Sequence, residues 1–410
     1  MKIKSSPATV IVGQPRRVAR TEAGKPAKVR SIIRCFATMF RGRTMTQRTT
    51  LAAFRRPIFA SFIAIVSALF ACSNGNDDDH KTPSSGNSLL LNFTSDYTTG
   101  ELRWMALDST SLSTGALPFY QDSKISVGGG NIFVLSNYPG SLACFSPENI
   151  GDESAIKQNS LDANAPYEAA VIGSKGYIAL NDEDYVQVFD VGTCTPSDTI
   201  GLPIAGANVS TIKASGDTLL LTLQRLENWS ATKLGLLVRI KASTKTFIDT
   251  IQLNFYNPSS SVLSDGKLYV SLQGSYNEDY SIDITKTGIE VVDLATGTSE
   301  ILATGTQLGG GAGDIALDEA SKILYATSVS ATWVTSVKPI NLTTKTVGNA
   351  LPDIINVSGG LVFDKEGKKL FVGDNPGLKI YDPDAKTTTI VGNQDPNLPP
   401  YSLAIIRSGS

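Results

Sequence analysis

The stretches GKLYVSLQ (Gly266–Gln273) and GIEVVDLATG (Gly288–Gly297) decide the fold of this 410-residue chain. The first is a nearly continuous apolar run rich in aromatic and branched residues, which is typical of a strand buried on both faces. The second alternates apolar positions and ends at Asp293, a residue type that starts a turn by bonding its own backbone downstream. Together they predict two adjacent strands of an antiparallel sheet.

Both patterns recur seven times, at intervals of about 40 to 50 residues, which is the sequence signature of a propeller or solenoid. The buried strands read SLLLNFT, NIFVLSN, KGYIALN, DTLLLTL, GKLYVSL, KILYATS and KKLFVGD. The strands that run into a turn read RWMALDSTS, LACFSPENI, VQVFDVGTC, LLVRIKAST, IEVVDLATG, VKPINLTTK and LKIYDPDAK. Further Thr-rich or apolar strands, such as TTTIV, usually follow them.

A third strand pattern precedes six of the buried strands and is missing before the first. Its seventh copy lies at the other end of the chain, where PYSLAIIR (Pro400–Arg407) resembles PYEAAVIG (Pro166–Gly173). Pairing the two ends within one blade would remove the unpaired edges of an open ring. The sequence therefore predicts an all-β, seven-bladed β-propeller over residues 88–408, with four antiparallel strands per blade and the segment near Ser402 paired beside Leu90.

The repeats resemble those of YVTN and YncE-like propellers, and more loosely the quinoprotein-type repeats, through GKLYVSLQ and the strand, Asp, turn and Thr-Gly ending of GIEVVDLATG. This resemblance covers the whole predicted propeller, and its motifs specify a fold rather than an activity. The tryptophan that docks quinoprotein repeats is absent after Thr296-Gly297, which argues against a quinone cofactor.

The composition excludes several kinds of chemistry. The single histidine, His80, precedes the first strand, so the propeller offers no histidine for a Ser-His-Asp triad, a metal site or general-base catalysis. Residues 1–71 hold 14 Lys or Arg and one acid, Glu22, which leaves the remainder with a net charge of about −15. That charge argues against nucleic acid as a partner.

The basic amino terminus has the anatomy of an export signal. Arginines precede an apolar run from Ile58 to Ala71, which is shorter than the roughly 20 residues that a bilayer span needs. Leu69-Phe70-Ala71-Cys72 resembles the lipobox of bacterial lipoproteins, which implies lipidation of Cys72 and anchoring in the cell envelope, with the outer membrane favoured over the inner. A plain secretory signal and an uncleaved anchor are the alternatives.

The same resemblance divides the rest of the amino terminus. Residues 45–71 form the signal peptide, with Met45 as the true start, and residues 72–87 form a polar linker. Residues 1–44 are then an upstream mis-start, or alternatively an organellar transit peptide, since they are rich in Arg and nearly free of acids.

Candidate ligand-binding residues lie in the loops between second and third strands and in the links that enter innermost strands, which share one face in propellers of this topology. Aromatic rings beside carboxylates suit a glycan, a peptide or a cationic ligand. The alternative is that the rings pack between blades and the acids are solvated. The candidates are Tyr138, Tyr167, Glu168, Asp182, Asp184, Trp229, Asp279, Asp314 and Trp333.

Aligning the innermost strands puts Glu168, Asn208, Asp314 and Ser402 at equivalent positions, so only two blades offer a carboxylate at the central channel. No cofactor or metal site is predicted. Ca²⁺ is the alternative at NDEDY and NEDYSID, which supply oxygen ligands without the spacing of a dedicated site.

Cys144 and Cys194 fall in or just after the third strands of neighbouring blades and are a candidate disulfide in an exported domain. Alignment puts Cys144 opposite Val188, six residues before Cys194, which leaves their contact open. No histidine is present to activate either thiol as a nucleophile.

These observations favour a monomeric, lipid-anchored propeller of the cell envelope that binds a ligand or acts as a scaffold without catalysis. One alternative is a propeller hydrolase or lyase that uses carboxylates and a divalent cation. Another is a factor for outer membrane protein assembly that binds an envelope protein.

Overall fold

The computed structural model describes residues 87–94, 99–120, 122–228, 230–375, 377–391 and 399–407. The predicted export signal, Cys72, the predicted linker up to residue 86 and the candidate Trp229 lie outside the described residues. None of the helices in the described ranges is long and apolar enough to span a bilayer.

The described chain forms seven four-stranded antiparallel sheets, arranged as blades around an axis. Blade 1 contains β1 (Ser88–Thr94), β2 (Thr99–Ala106) and β3 (Leu117–Tyr120). Blade 2 contains β4 (Lys124–Gly128), β5 (Asn131–Ser136), β6 (Ser141–Phe145) and β7 (Lys157–Ser160). Blade 3 contains β8 (Pro166–Ile172), β9 (Lys175–Leu180), β10 (Tyr185–Asp190) and β11 (Thr195–Gly201).

The later blades repeat this order. Blade 4 contains β12 (Val209–Ser215), β13 (Thr218–Leu223), β14 (Leu234–Lys241) and β15 (Thr246–Tyr256). Blade 5 contains β16 (Pro258–Ser264), β17 (Lys267–Leu272), β18 (Gly288–Asp293) and β19 (Thr298–Thr304). Blade 6 contains β20 (Gly311–Asp318), β21 (Ile323–Val329), β22 (Thr335–Asn341) and β23 (Thr346–Val347). Blade 7 contains β24 (Val357–Asp364), β25 (Lys369–Asp374), β26 (Leu378–Asp382) and β27 (Thr387–Val391).

The carboxyl-terminal strand β28 (Pro400–Ile406) completes blade 1, in the order β28-β1-β2-β3. It pairs antiparallel to β1, with Ala404 opposite Leu90 and Ser402 opposite Asn92. The predicted seven blades and the closure of the ring by the chain ends are therefore confirmed.

The core lies between the blades rather than within any one of them. Seven clusters of buried apolar side chains occupy the seven junctions, one per pair of neighbouring blades. At the closure, Leu89 and Leu91 of blade 1 pack with Phe371 and Leu378 of blade 7. Because each second strand is buried on both faces, its sequence is continuously apolar, as the pattern predicted.

Three short helical turns interrupt the strands in the part of the chain that the structure describes: a one-turn α-helix, α1 (Gly305–Leu308), and two 3₁₀ turns, Pro147–Asn149 and Glu153–Ala155. Thr304 and Gln307 cap α1 reciprocally. The glycines after α1 mark a crowded blade junction, since a Cβ on Gly310 would lie 2.2 Å from the Val329 carbonyl oxygen.

Candidate functional site

The two ends of the blades differ in their connections. One end, which we call the loop face, carries the loops between second and third strands (137–140, 181–184, 224–233, 273–287, 330–334 and 375–377) and the links into the next innermost strand (121–123, 161–165, 202–208, 257, 305–310 and 348–356). The opposite end, the hairpin face, carries the tighter turns between first and second strands and between third and fourth strands.

Exposed apolar side chains concentrate on the loop face. Seven of the twelve large apolar side chains that are exposed in the described ranges lie in its loops and links, so this face is the candidate interaction surface. Five of the seven belong to the adjacent loops 273–287 and 330–334. These five, which we call the aromatic patch, are Tyr276, Tyr280, Ile284, Trp333 and Val334.

Tyr276 and Trp333 form the centre of the aromatic patch. Their rings stack across the junction of blades 5 and 6, with centroids 6.0 Å apart and an interplanar angle of 24°. Tyr276 is 46% exposed and Trp333 is 39% exposed. Burial nevertheless raises the pKa of the Tyr276 hydroxyl. The stacked pair is therefore partly exposed on the loop face, while the protein around the Tyr276 hydroxyl disfavours its charged form.

A small hairpin within loop 273–287 presents Tyr276. The Asp283 backbone N–H donates to the Ser275 carbonyl (2.8 Å), and the Asn277 N–H donates to the Ser281 carbonyl (2.8 Å). At its tip, Asp279 Oδ1 accepts hydrogen bonds from the Ser281 N–H (3.0 Å) and hydroxyl (2.6 Å). The Ser281 hydroxyl is also the main cause that lowers the pKa of Asp279. The candidate Asp279 thus shapes the loop that carries Tyr276.

A closed turn holds Trp333 in place. The N–H groups of Ser330 and Trp333 donate to the carbonyls of Val334 and Ser330, both at 2.9 Å. Trp333 adopts a φ of 63°, a left-handed conformation that is uncommon for a bulky residue. Such a conformation persists where the surrounding contacts enforce it, so the turn defines the backbone from which the indole projects.

The loop face is strongly acidic. Its described loops and links contain ten carboxylates and three cationic side chains, a net charge of −7. Lys233 pairs with Glu227 at 2.5 Å, and Lys286 pairs with Asp283 at 3.5 Å. The ten carboxylates are Asp122, Asp162, Asp182, Glu183, Asp184, Glu227, Glu278, Asp279, Asp283 and Asp353.

The candidates of blades 2 and 3 lie on the same face as the aromatic patch. The Tyr138 hydroxyl donates to Asp182 Oδ2 at 3.1 Å, across the junction between their blades. Asp184 is exposed and accepts the Ala207 N–H at 2.9 Å. Tyr167 is half-buried, at a β-bulge near the start of β8. The structure brings Tyr138 and Asp182 together, but it shows no contact between them and Trp333.

The carboxylates of the innermost strands bind neighbouring backbone rather than one another. Glu168 accepts the Ile212 N–H at 2.8 Å and forms an ion pair with Lys213. Asp314 accepts the Gly360 N–H at 2.9 Å. Each therefore joins its own blade to the next one. Within the described ranges, no three Asp, Glu, Cys or His side chains approach closely enough to hold a metal ion.

Comparable contacts between innermost strands occur at all seven junctions. The other five are Ile125 N–H to Ser402 Oγ (3.0 Å), Ala169 N–H to Ser126 Oγ (2.9 Å), Ser261 hydroxyl to Thr211 Oγ1 (2.8 Å), Ile315 N–H to Ser260 Oγ (3.4 Å) and Ser358 hydroxyl to the Pro400 carbonyl (2.7 Å).

The sequence alignment of Asn208 with these residues is wrong. The strand register places Thr211 at the position equivalent to Glu168, because Glu168 pairs with Ala179 and Thr211 pairs with Thr222, each the fifth residue of its second strand. Asn208 lies in the preceding link, where its amide donates to the Asn181 carbonyl and accepts the Leu226 N–H.

A disulfide joins Cys144 of β6 to Cys194 in the turn after β10, with their Cα atoms 5.8 Å apart. Blade 2 holds that turn by two further contacts. Asn159 donates to the Cys194 carbonyl at 2.8 Å, and Lys157 donates to the Gly192 carbonyl at 2.7 Å. The disulfide therefore links blades 2 and 3 at the hairpin face.

Sequence reasoning missed two features of the loop face. It did not single out Tyr276 as the partner of Trp333, although both residues lie in the loop between the second and third strands of adjacent repeats. It also missed a buried ion pair at the end of blade 7, in which Lys379 Nζ lies 2.9 Å from Asp374 Oδ2. The signal for this pair is the lysine in LKIYD, within an otherwise apolar strand pattern.

Comparisons with known proteins show the fold alone. No family model matches the chain, and no curated protein matches it. A Bacteroides fragilis protein provisionally described as a 6-phosphogluconolactonase is 15% identical, with a TM-score of 0.54 over 80% of this chain and 100% of that one. Dihydro-haem d1 dehydrogenase NirN is 13% identical, with a TM-score of 0.51 over 79% and 76%. This chain is thus similar to β-propellers that include enzymes.

Proposed function

We propose that this propeller is a lipid-anchored binding protein of the bacterial cell envelope, which uses its loop face to bind a ligand or partner and has no catalytic role. The observation that carries the proposal is the exposed stack of Tyr276 and Trp333. Exposed aromatic rings held by rigid loops supply contact area at a low entropic cost, and they are enriched at binding interfaces.

Two further observations support export and anchoring. The Cys144–Cys194 disulfide suits an oxidising compartment, since thiols in the cytosol are kept reduced. The apolar run from Ile58 to Ala71, followed by Cys72, resembles a lipoprotein signal. The resemblance of the repeats to YVTN propellers is compatible with a binding module, because those motifs specify a fold rather than an activity.

Metabolic labelling with an alkyne fatty acid in a bacterial host tests the anchor. The full chain should incorporate the label and sediment with membranes, and Cys72→Ser should lose both properties. Cys35→Ser is the matched control, since it removes a thiol upstream of the proposed cleavage site. Equal labelling of the Cys72→Ser variant would refute lipidation at this residue.

Site-specific photocrosslinking in cells tests the loop face. A photoreactive residue at position 333 should give a discrete adduct, whereas the same residue at position 247, an exposed apolar position on the outer strand β15, should not. Equal adducts at both positions, or none at 333, would show that the aromatic patch is not a binding surface.

A further inference from the structure

The charge of the loop face restricts what can dock on it. With a net charge of −7, the described loops and links repel anionic partners and raise the association rate of cationic ones. Two of the three cationic side chains already pair with carboxylates of the same face. The third, Arg225, donates a hydrogen bond to the Leu234 carbonyl at 3.2 Å.

The aromatic patch lies within this acidic surface. The hairpin that presents Tyr276 also carries Glu278 and Asp279, which are both exposed, and the exposed ring of Tyr280. The faces of Trp and Tyr rings attract cations, and nearby carboxylates strengthen that attraction. Lysine and arginine combine a cationic head with an apolar stem, so they match both components of the surface.

The extent of the surface favours a polypeptide over a small cation. Ile284 and Val334 add exposed aliphatic area in the same two loops. A small cation would not bury this area, whereas a polypeptide would. Acidic residues continue to Asp182, Glu183 and Asp184 in blade 3, with blade 4 between them and blade 5. A ligand that meets both groups must be extended and must carry several positive charges.

We infer that the loop face docks a lysine- or arginine-bearing segment of a partner protein, with one cationic side chain over the Tyr276–Trp333 pair and beside Glu278. This inference rests on the proposed use of the loop face for binding, and it names the class of partner. A neutral glycan would also stack on the rings, but it gains nothing from the negative charge.

Fluorescence anisotropy with the purified full chain in detergent tests the inference. The probes are a fluorescein-labelled peptide that alternates lysine with glycine, the same peptide with glutamate in place of lysine, and a labelled neutral β-glucan hexasaccharide. The lysine peptide should bind best, and its affinity should fall between roughly 0.05 and 0.5 M salt because screening shortens the range of the attraction.

Matched variants locate the binding site. Trp333→Leu should weaken binding of the lysine peptide about fivefold, Trp333→Phe should restore most of the loss, and Glu278→Gln should weaken binding about threefold. Phe247→Leu, on an outer strand, and Asp265→Asn, in an exposed turn of blade 5 on the hairpin face, should leave binding unchanged. Thermal unfolding of each variant verifies its fold.

Three results would overturn the inference: no binding of the lysine peptide, equal losses in the two control variants, or equal binding of the glutamate peptide. If the glycan alone binds and depends on Trp333, the partner class is wrong while the proposed binding function stands. If neither probe binds and position 333 also gives no crosslink, both proposals fail.

Discussion

The hairpin face and the loop face are built from the same repeats, yet the turns of the hairpin face repeat one short pattern, whereas the loops of the loop face differ in length and composition. On the hairpin face, acids bind the turns in which they lie, as where Asp293 Oδ1 accepts the N–H groups of Ala295 and Thr296, both at 2.9 Å. Ion pairs of Lys245 with Asp198 and of Lys345 with Glu300 join neighbouring blades there. On the loop face, loops of unequal length present rings and an excess of carboxylates.

This difference teaches that the repeated part of the sequence maintains the ring, whereas the irregular part is available for recognition. Substitutions that disturb the ring should therefore change stability, and substitutions in the aromatic patch should change binding. Buried polar groups near the loop face test how far the residues that maintain the ring extend toward that face.

Ring closure should have the largest effect. Deleting residues 399–410 removes β28 and exposes the edges of β1 and the core between blades 7 and 1. We expect loss of the cooperative thermal transition and rapid digestion by protease. Deleting residues 408–410 alone, beyond the strand, is the control. An unchanged melting curve in the longer deletion would show that closure is dispensable.

The ion pair in blade 7 comes next. Asp374 is fully buried and Lys379 is 8% exposed. Asp374 Oδ2 accepts no hydrogen bond in the described structure, although Lys379 Nζ is 2.9 Å away, so the attraction is Coulombic rather than directional. Lys379→Met should cost about 3–5 kcal/mol in urea unfolding, because it leaves a buried charge without its counterion.

The double variant Asp374→Leu/Lys379→Met should recover most of that loss. Failure of the double variant to recover would mean that this end of blade 7 needs the charges themselves. The residues that maintain the ring would then extend as far as this end of blade 7.

The disulfide should have a smaller effect. Replacing both Cys144 and Cys194 with Ala should lower the free energy of unfolding by about 2–4 kcal/mol, since the bond closes a segment of 50 residues. Reductant should have the same effect on the native protein and none on the variant. Affinity at the loop face should not change; a parallel loss of affinity would contradict the separation of the two faces.

Glu290 should give the smallest change, visible as a pH dependence. Its buried carboxylate joins blades 4 and 5 by accepting the N–H groups of Asn254 (2.7 Å) and Phe255 (3.0 Å). Burial raises its pKa above the ordinary 4.5. Because the folded state then holds the proton more tightly, the stabilisation is complete below that ordinary value and is lost as pH rises through the folded pKa.

Glu290→Gln replaces the carboxyl with a neutral group of similar shape, so its stability should be flat over this window. Urea unfolding at a series of pH values should show the native protein losing stability relative to the variant as pH increases. Asp265→Asn, an exposed change in the same blade, should keep the native profile. Identical profiles for all three proteins would exclude Glu290 as the titrating group.

The architecture could be predicted because each blade repeats one buried strand and one turn, and because a missing first strand has its copy at the carboxyl terminus. The site was harder to predict, since side chains on the loop face depend on the paths of unequal loops. Asn208 was misplaced because the link that precedes β12, residues 202–208, is longer than the link 161–165 that precedes β8. The contact of Cys144 with Cys194 arises because a turn of blade 3 lies against the outer strand of blade 2.

The pairing of β28 with β1 also sets the order of events during synthesis. The Ile125 N–H can donate its hydrogen bond only after Ser402, 277 residues later in the chain, has been synthesised. Contacts of such long sequence separation slow folding, because much chain entropy is lost before they form. A chain that is released before β28 is synthesised cannot close the ring, and its exposed apolar edge favours aggregation and proteolysis. Stable folding of this protein therefore requires complete translation.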